Sequence, residues 1–372
     1  MDPTYPLVPI ANLLSAFLVL LALLSNGVRQ SWNTGVTMFG FWIFVVAVCI
    51  GVNTIVWSDN TNNSAPVWCD ISSHLEVASN VGIPASSLVI THRLYKIIQR
   101  QAVEPRTKHM KYIELLFDLF LGLGLPILVT GFYYVVQGAR FLILEEFGCS
   151  DAYDVSGLEV LIIDGWGIVL PIISIAFYCC EILWHFYRHS RQTNAFLRTN
   201  ASVNRAKYIR VFAIGCIDIL LTLPIGFLIF ATDIQNTVAG DIGFWPGWSS
   251  IHEDWDEPVP IPAAEWRSTR LSAFGTIWGE YINVVFALLF FALFGLTGDA
   301  RAFYYHAFWT TAERCGWRRS MKQDLPAIAF GSNINTRDIG RVSPLPDVRC
   351  SLVLTFNTTG RGCHMSCLCT LM

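Results

Sequence analysis

Three carboxylates stand inside otherwise apolar runs: Glu76, Asp164 and Glu280. A charge within hydrocarbon is costly, so such acids face protein or a water-lined cavity. Three chemistries suit them. Hydrogen-bonded contact between helices is the simplest, a ligand-binding pocket the second, and a proton or ion relay the third. Glu114, Asp118, Glu181 and Asp218 stand towards the opposite half of their runs. A relay would have to cross the midplane, and the spans offer the acids no basic partner. The chain has no metal-ligand spacing, no Gly-rich phosphate loop and no nucleophile motif. No catalytic residue, metal, cofactor or nucleic-acid partner is therefore expected.

The elements that must position these acids are membrane spans. Of 372 residues 53% are hydrophobic and only 14% charged, where soluble domains carry roughly 25% charged residues. A bilayer-crossing helix needs about 20 predominantly apolar residues. Seven runs qualify: Leu7–Val28, Val36–Trp57, Asp70–His92, Tyr112–Val136, Leu158–Trp184, Tyr208–Thr232 and Leu271–Thr297. The third is the least hydrophobic. The expected fold is an all-α membrane protein, a seven-transmembrane helix bundle over 1–297. An interfacial amphipathic helix over 298–320 and a disordered cytoplasmic tail over 321–372, rich in Gly, Ser, Pro and Asn, complete it. Mid-span prolines at Pro84, Pro126, Pro171 and Pro224 predict kinks whose freed carbonyls neighbouring helices satisfy.

Lys and Arg set the orientation, because their excess marks the cytoplasmic side. Arg29 lies after the first span, and Arg93, Lys96, Arg100, Arg106, Lys108 and Lys111 follow the third. Arg188, Arg191, Arg198, Arg205, Lys207 and Arg210 lie in or beside the loop after the fifth. The alternate loops hold only Arg140, Arg267 and Arg270. The N-terminus is thus expected outside and the C-terminus in the cytoplasm, which requires an odd number of spans. The outer loops are acidic, which reads either as plain solvation or as steering of a basic ligand.

Of eleven cysteines, only Cys69 and Cys149 fall on the outer face. Disulfides persist outside the cytosol, so these two either close one bridge or remain free thiols. Asn62 begins an N-x-S sequon in the first outer loop and is the glycosylation candidate. Cys315 closes the interfacial helix and is a palmitoylation candidate. The terminal Cys369-Thr370-Leu371-Met372 fits a C-a-a-X box, although coincidence or palmitoylation beside Cys363 and Cys367 is preferred to prenylation. The loop His185–Arg210 mixes six Lys/Arg residues with aromatics and no acid. It reads as a topogenic cluster or, better, as a docking surface for a cytoplasmic partner or anionic lipid.

The pieces in order resemble a known family. Trp32-Asn33-Thr34-Gly35, VNTIVWSDN (Val52–Asn60), VWCDIS (Val67–Ser72), IPASSL (Ile83–Leu88) and HRLYKI (His92–Ile97) come first. LGLGLPIL (Leu121–Leu128), YYVVQGARF (Tyr133–Phe141), the EEFGC run to Cys149, Arg210–Pro224 and FFALFGLTGDAR (Phe290–Arg301) follow. The chain resembles, from about Leu7 to Trp317, the fungal lipopeptide-pheromone receptors, the a-factor-receptor branch of the mating-type G-protein-coupled receptors. Within these it resembles the mushroom mating-locus members. The resemblance implies a plasma-membrane receptor for a farnesylated peptide pheromone, acting through a heterotrimeric G protein and a MAP-kinase cascade. The animal-type D-R-Y and N-P-x-x-Y motifs are absent, and His92-Arg93-Leu94-Tyr95 stands where the former would be. Arg93, Leu94, Tyr95, Arg205, Lys207 and Arg210 are the expected G-protein-coupling residues, and Glu76, Asp164 and Glu280 the expected ligand-binding ones. A homodimer is left open. The alternatives are an orphan receptor of the same fold and a seven-span transporter. A retinal protein is excluded, since Leu271–Thr297 holds no Schiff-base lysine.

Overall fold

The computed structural model describes residues 5–28, 33–99, 108–185, 202–239, 244–253, 255–314, 350–353 and 366–369. Eight long helices run in chain order: α1 Leu7–Val28, α2 Thr34–Val56, α3 Pro66–Gln99, α4 Lys108–Val136, α5 Gly157–His185, α6 Ser202–Ala239, α7 Arg270–Phe290 and α8 Gly298–Arg314. Among the described residues six helices are long and apolar enough to cross a membrane, namely α1, α2, α4, α5, α6 and α7 with its continuation to Gly295. Of the seven runs expected to span, the exception is α3, the one that the sequence ranks as least hydrophobic. It is also longer than its apolar run, 34 residues against Asp70–His92. Its extra turns carry Pro66–Cys69 at one end and Arg93–Gln99 at the other.

The composition of α3 follows from its place. It packs against α2, α4, α5 and α6, so much of its surface meets protein rather than lipid. Ser72, Ser73, Ser79, Ser86, Ser87 and Thr91 are all buried. Most return their hydroxyl to their own helix. Ser86 donates to the Gly82 carbonyl at 2.7 Å, Thr91 to Leu88 at 3.0 Å and Ser73 to Asp70 at 3.3 Å. Back-bonding of this kind satisfies a hydroxyl without a partner helix, and small residues let helices approach closely. Two hydroxyls also reach across: Thr91 meets Ser174 of α5 at 2.8 Å, and Ser87 meets the Gly215 carbonyl of α6 at 3.5 Å.

Two apolar clusters flank α3. One joins α1, α2 and α7 around Phe39, Ile43, Phe286 and Phe290. Phe39 stacks on Phe290 at 6.4 Å and meets Phe286 edge-on at 5.9 Å. The other joins α3, α4 and α5 through Val81, Ala85, Leu125, Val129, Tyr133 and Leu170.

Pro126 shows how a freed helix carbonyl is satisfied. Pro126 has no N–H to give the Gly122 carbonyl four residues earlier. That carbonyl lies in a π turn, Phe120–Gly124, and the indole N–H of Trp42 on α2 donates to it at 2.9 Å. Trp42 lies across Gly82 as well, where a Cβ would fall 2.4 Å from its ring. One tryptophan thus ties α2, α3 and the break in α4 together. Further π turns interrupt α5 at Val160–Asp164 and Ile175–Cys179 and extend α7 at Phe291–Gly295.

The loop between α4 and α5 folds into a hairpin, β1 Leu142–Leu144 against β2 Gly148–Ser150, with Ile143 opposite Cys149. The loop between α6 and α7 adds β3 Val259–Ile261, parallel to β1 with Leu142 opposite Val259. Two loops far apart in sequence therefore share one sheet over the Cys69 end of the bundle. The helix expected over 298–320 is α8, described to Arg314; Cys315 lies outside the described residues. Within the expected tail 321–372, the described residues are β4 Cys350–Val353 and β5 Ser366–Cys369, which pair antiparallel. Cys369 is the last residue of β5. The chain divides into two units, Met1–Arg318 and Arg319–Met372.

Candidate functional site

At one end of α3, Cys69 is disulfide-bonded to Cys149 of β2. Cys69 and Cys149 are buried with Trp57, Phe141 and Ile143. Asn53 of α2 organises the surroundings: its amide donates to the Cys149 carbonyl at 2.9 Å and its oxygen accepts the Trp68 indole N–H at 2.6 Å. Gly148 approaches so closely that a Cβ would fall 2.7 Å from that of Asn53, and its φ of +91° also calls for glycine.

The acidic loops at this end are not merely solvated. Arg140 donates twice to Asp70, at 2.8 and 2.6 Å, a fork-to-fork pair. Hydrogen bonding to Asp70 holds the Arg140 guanidinium above its ordinary value. Arg267 pairs with the buried Glu146 and lies 4.4 Å over the Trp266 ring. The Glu145 carboxylate accepts the Ala263 N–H at 2.8 Å. Asp151 accepts from the Ser150 hydroxyl at 3.1 Å, and burial pushes its carboxyl above the ordinary range in spite of that bond.

Beneath this roof lies a cavity of about 480 Å³, bounded by α2, α3, α6, α7 and the hairpin. Glu76 and Glu280 line it with Asn53, Ser79, Ser150 and Asn283. Asp164, expected to join them, is not among its lining residues. Asp164 closes the first π turn of α5, and one inserted residue shifts a side chain by roughly 100° around the helix axis relative to regular spacing. Asn62 is exposed in the loop before α3, and its carbonyl accepts the Trp57 indole N–H at 2.8 Å. A second, apolar cavity of about 370 Å³ lies between α5 and α6, walled by Leu161, Ile168, Phe230 and Phe244 among others.

At the other end of α3 the bonding is ionic. Arg93 donates to Asp118 of α4, whose side chain is 2% exposed, and Lys96 lies 3.9 Å from Glu114. Both basic residues lie beyond the expected third span, Asp70–His92, and meet acids of the fourth. The cause is the extra length of α3, which carries Arg93 and Lys96 alongside α4. His92 sits between Phe117 and Tyr178, at 5.1 and 5.4 Å between ring centroids, and Tyr95 also meets Tyr178 at 5.4 Å.

The expected coupling residues divide by burial. Leu94 is 1% exposed and faces the bundle, while Arg93, Tyr95 and Arg210 are half-buried. Arg205 and Lys207 fall in the first turns of α6, with side chains outside the described set, as is most of the His185–Arg210 loop. Sequence reasoning missed the Arg93–Asp118 pair, although an acid in the first half of a span facing a basic helix end was its available signal. It also missed the sheet uniting the two loops, for which three-residue strands leave no periodic trace.

Comparison with known proteins gives consistent results. The family described as "Pheromone A receptor" (STE3) matches residues 7–316. The "Pheromone B alpha 3 receptor" of Schizophyllum commune is 33% identical over 314 residues, 84% of this chain and 49% of that protein. "Pheromone receptor 1" of Mycosarcoma maydis is 31% identical over 316 residues, 84% of this chain and 86% of that protein. The "Pheromone a factor receptor" of Saccharomyces cerevisiae is 25% identical over 267 residues, 71% of this chain and 53% of that protein. The chain spans about half the length of the Schizophyllum receptors it matches.

Proposed function

The chain belongs to the STE3 pheromone A receptor family, a family of multi-pass membrane receptors rather than enzymes, and from that premise we propose that it is a plasma-membrane receptor for a farnesylated peptide pheromone. In this reading α1 to α7 all cross the membrane, with the N-terminus outside and the C-terminus cytoplasmic. α3 is the seventh span; its hydroxyls suit a helix enclosed by protein. Residues 1–297 form the receptor domain, α8 lies in the membrane interface, and 321–372 is a cytoplasmic tail. The Cys69 end faces out, as the redox chemistry of a disulfide requires. Pheromone enters the cavity beside Glu76 and Glu280, and Asp164 of α5 acts from outside its lining.

The Arg93 end of α3, with Tyr95, Arg205, Lys207 and Arg210, meets a heterotrimeric G protein that feeds a MAP-kinase cascade. Leu94 supports this surface from behind. Asn62 carries the glycan, Cys315 and Cys369 are the lipidation candidates, and a homodimer is compatible with this arrangement. The observation that carries the reading is the pairing of a disulfide-roofed cavity with a basic, ion-paired end on the same helix, in a chain matched by a pheromone-receptor family over 7–316. A reporter strain co-expressing a fungal G protein tests it with a panel of synthetic farnesylated peptides. Activation by at least one member of the panel is expected. Silence across the whole panel, with the receptor at the cell surface, contradicts it.

A further inference from the structure

The cavity under the sheet has an unusual charge balance. Among the described residues its charged lining residues are Glu76 and Glu280, and no Lys, Arg or His lines it. Glu76 lies close enough to feel the charges of both Glu280 and Asp151. One carboxylate oxygen of Glu280 is buried without a hydrogen-bond partner among the described residues. The second observation is independent of the acids. Asn283, 3% exposed, donates its amide N–H to the Ile43 carbonyl at 3.3 Å and leaves its oxygen unpartnered among the described residues. A buried acceptor without a donor is destabilising, because it has given up its water without gaining a partner. Clustered carboxylates without a counter-charge repel one another in a medium of low dielectric.

All of these groups accept hydrogen bonds, and a donor that carries positive charge also offsets the two carboxylates. Among the described residues no three His, Cys, Asp or Glu side chains are placed to hold a metal ion. About 480 Å³ is far more than a bare ion fills and falls within the range of organic ligand pockets. Trp278 and Phe286 on the same wall offer ring faces of the kind that receive organic cations.

We infer that this cavity is a cation-recognition site, in which Glu76, Glu280 and the Asn283 oxygen receive an ammonium or guanidinium group of a peptide ligand. The inference deepens the pheromone reading and rests on it for the peptide, but not for the charge. It also gives the acidic approach a use: a basic group drawn to that end of the bundle meets further carboxylates on the way in.

The test uses the purified full-length receptor and two probes of nearly equal shape, N-acetyl-arginine amide and its uncharged counterpart N-acetyl-citrulline amide (below, arginine amide and citrulline amide). Thermal unfolding is followed at millimolar probe. Arginine amide is expected to raise the midpoint of the wild type more than citrulline amide does. The difference is expected to vanish in E76Q/E280Q and to shrink in each of E76Q and E280Q alone; the single variants carry the test should the double variant not fold. Equal effects of the two probes on the wild type, or an undiminished difference in the glutamine variants, overturn the inference. With an activating lipopeptide in hand, neutralising its basic group should lower potency at least tenfold on the wild type and much less on E280Q. If arginine amide discriminates as expected while every farnesylated peptide stays silent, the cation site stands and the pheromone reading falls.

Discussion

The two ends of α3 are held by different kinds of force. At the Cys69 end the helix is bonded covalently to β2, forked to Arg140 through Asp70, and covered by a sheet that unites two loops. At the Arg93 end it is held to α4 by Arg93–Asp118 and Lys96–Glu114. A covalent bond and a hydrogen-bonded sheet fix one geometry. An ion pair can exchange its partner, because an arriving carboxylate or a changed helix position offers an alternative at similar energy. In the proposed receptor the first end is suited to hold a ligand cavity in shape and the second to report that it is filled.

The largest expected effect comes from removing the covalent tie. The bridge closes a separation of 80 residues, for which chain-entropy arguments give about 4–5 kcal/mol. Cys69→Ala should therefore abolish most surface expression, read by surface labelling against total protein, and reductant should lower the unfolding midpoint of the wild type but not that of the variant. A variant that reaches the surface normally would show that the sheet suffices and would erase the contrast.

Next comes the ionic end. Breaking a buried pair leaves an uncompensated charge, roughly 3–5 kcal/mol when both partners are enclosed. Asp118 is enclosed and Arg93 only partly so, so Asp118→Asn should cost less than that. The freed Arg93 should raise ligand-independent nucleotide exchange several-fold. Unchanged basal exchange at equal surface density would mean that the pair is structural only.

A subtler effect concerns pH at the Cys69 end. Burial raises Asp151 above its ordinary value of 3.8, so the folded state holds more protons there than the unfolded one. Its contribution to stability is complete below the ordinary value and is lost as pH rises through the raised one. Asp151→Asn removes that dependence. The fall in unfolding midpoint as pH rises above about 4 should be shallower in the variant, measured by thermal unfolding in buffered detergent. The smallest effect is expected at the rim. Arg140 and Asp70 are 39% and 35% exposed, and pairs of that kind contribute about 0–1 kcal/mol. Arg140→Gln should move the midpoint little, whereas a loss rivalling that of Cys69→Ala would place the strength of this end in the salt bridge.

What was legible in the sequence was what hydrophobicity and redox chemistry record. Six spans announce themselves by apolar length, and Cys69 and Cys149 by being the two cysteines on one side. α3 was legible only as an apolar run with an excess of hydroxyls; its true length was hidden because its polar turns resemble loop. Glu76 and Glu280 line one cavity, whereas Asp164 is not among its lining residues. A π turn breaks the helical spacing on which such grouping depends, and nothing in VLIID marks where that turn falls. Trp42 could not be matched to Gly122 beforehand. The need was readable, since Pro126 leaves that carbonyl without its helix donor, but the identity of the donor is a fact of packing between α2 and α4.

In the proposed receptor, ligand is received at the Cys69 end and reported at the Arg93 end. Guanine-nucleotide exchange on membranes tests it most directly, with wild type and Arg93→Ala at matched surface density and an activating farnesylated peptide whose binding is measured in parallel. Arg93→Ala is expected still to bind the peptide and no longer to stimulate exchange. Loss of binding together with exchange, or full exchange without the arginine, would contradict it.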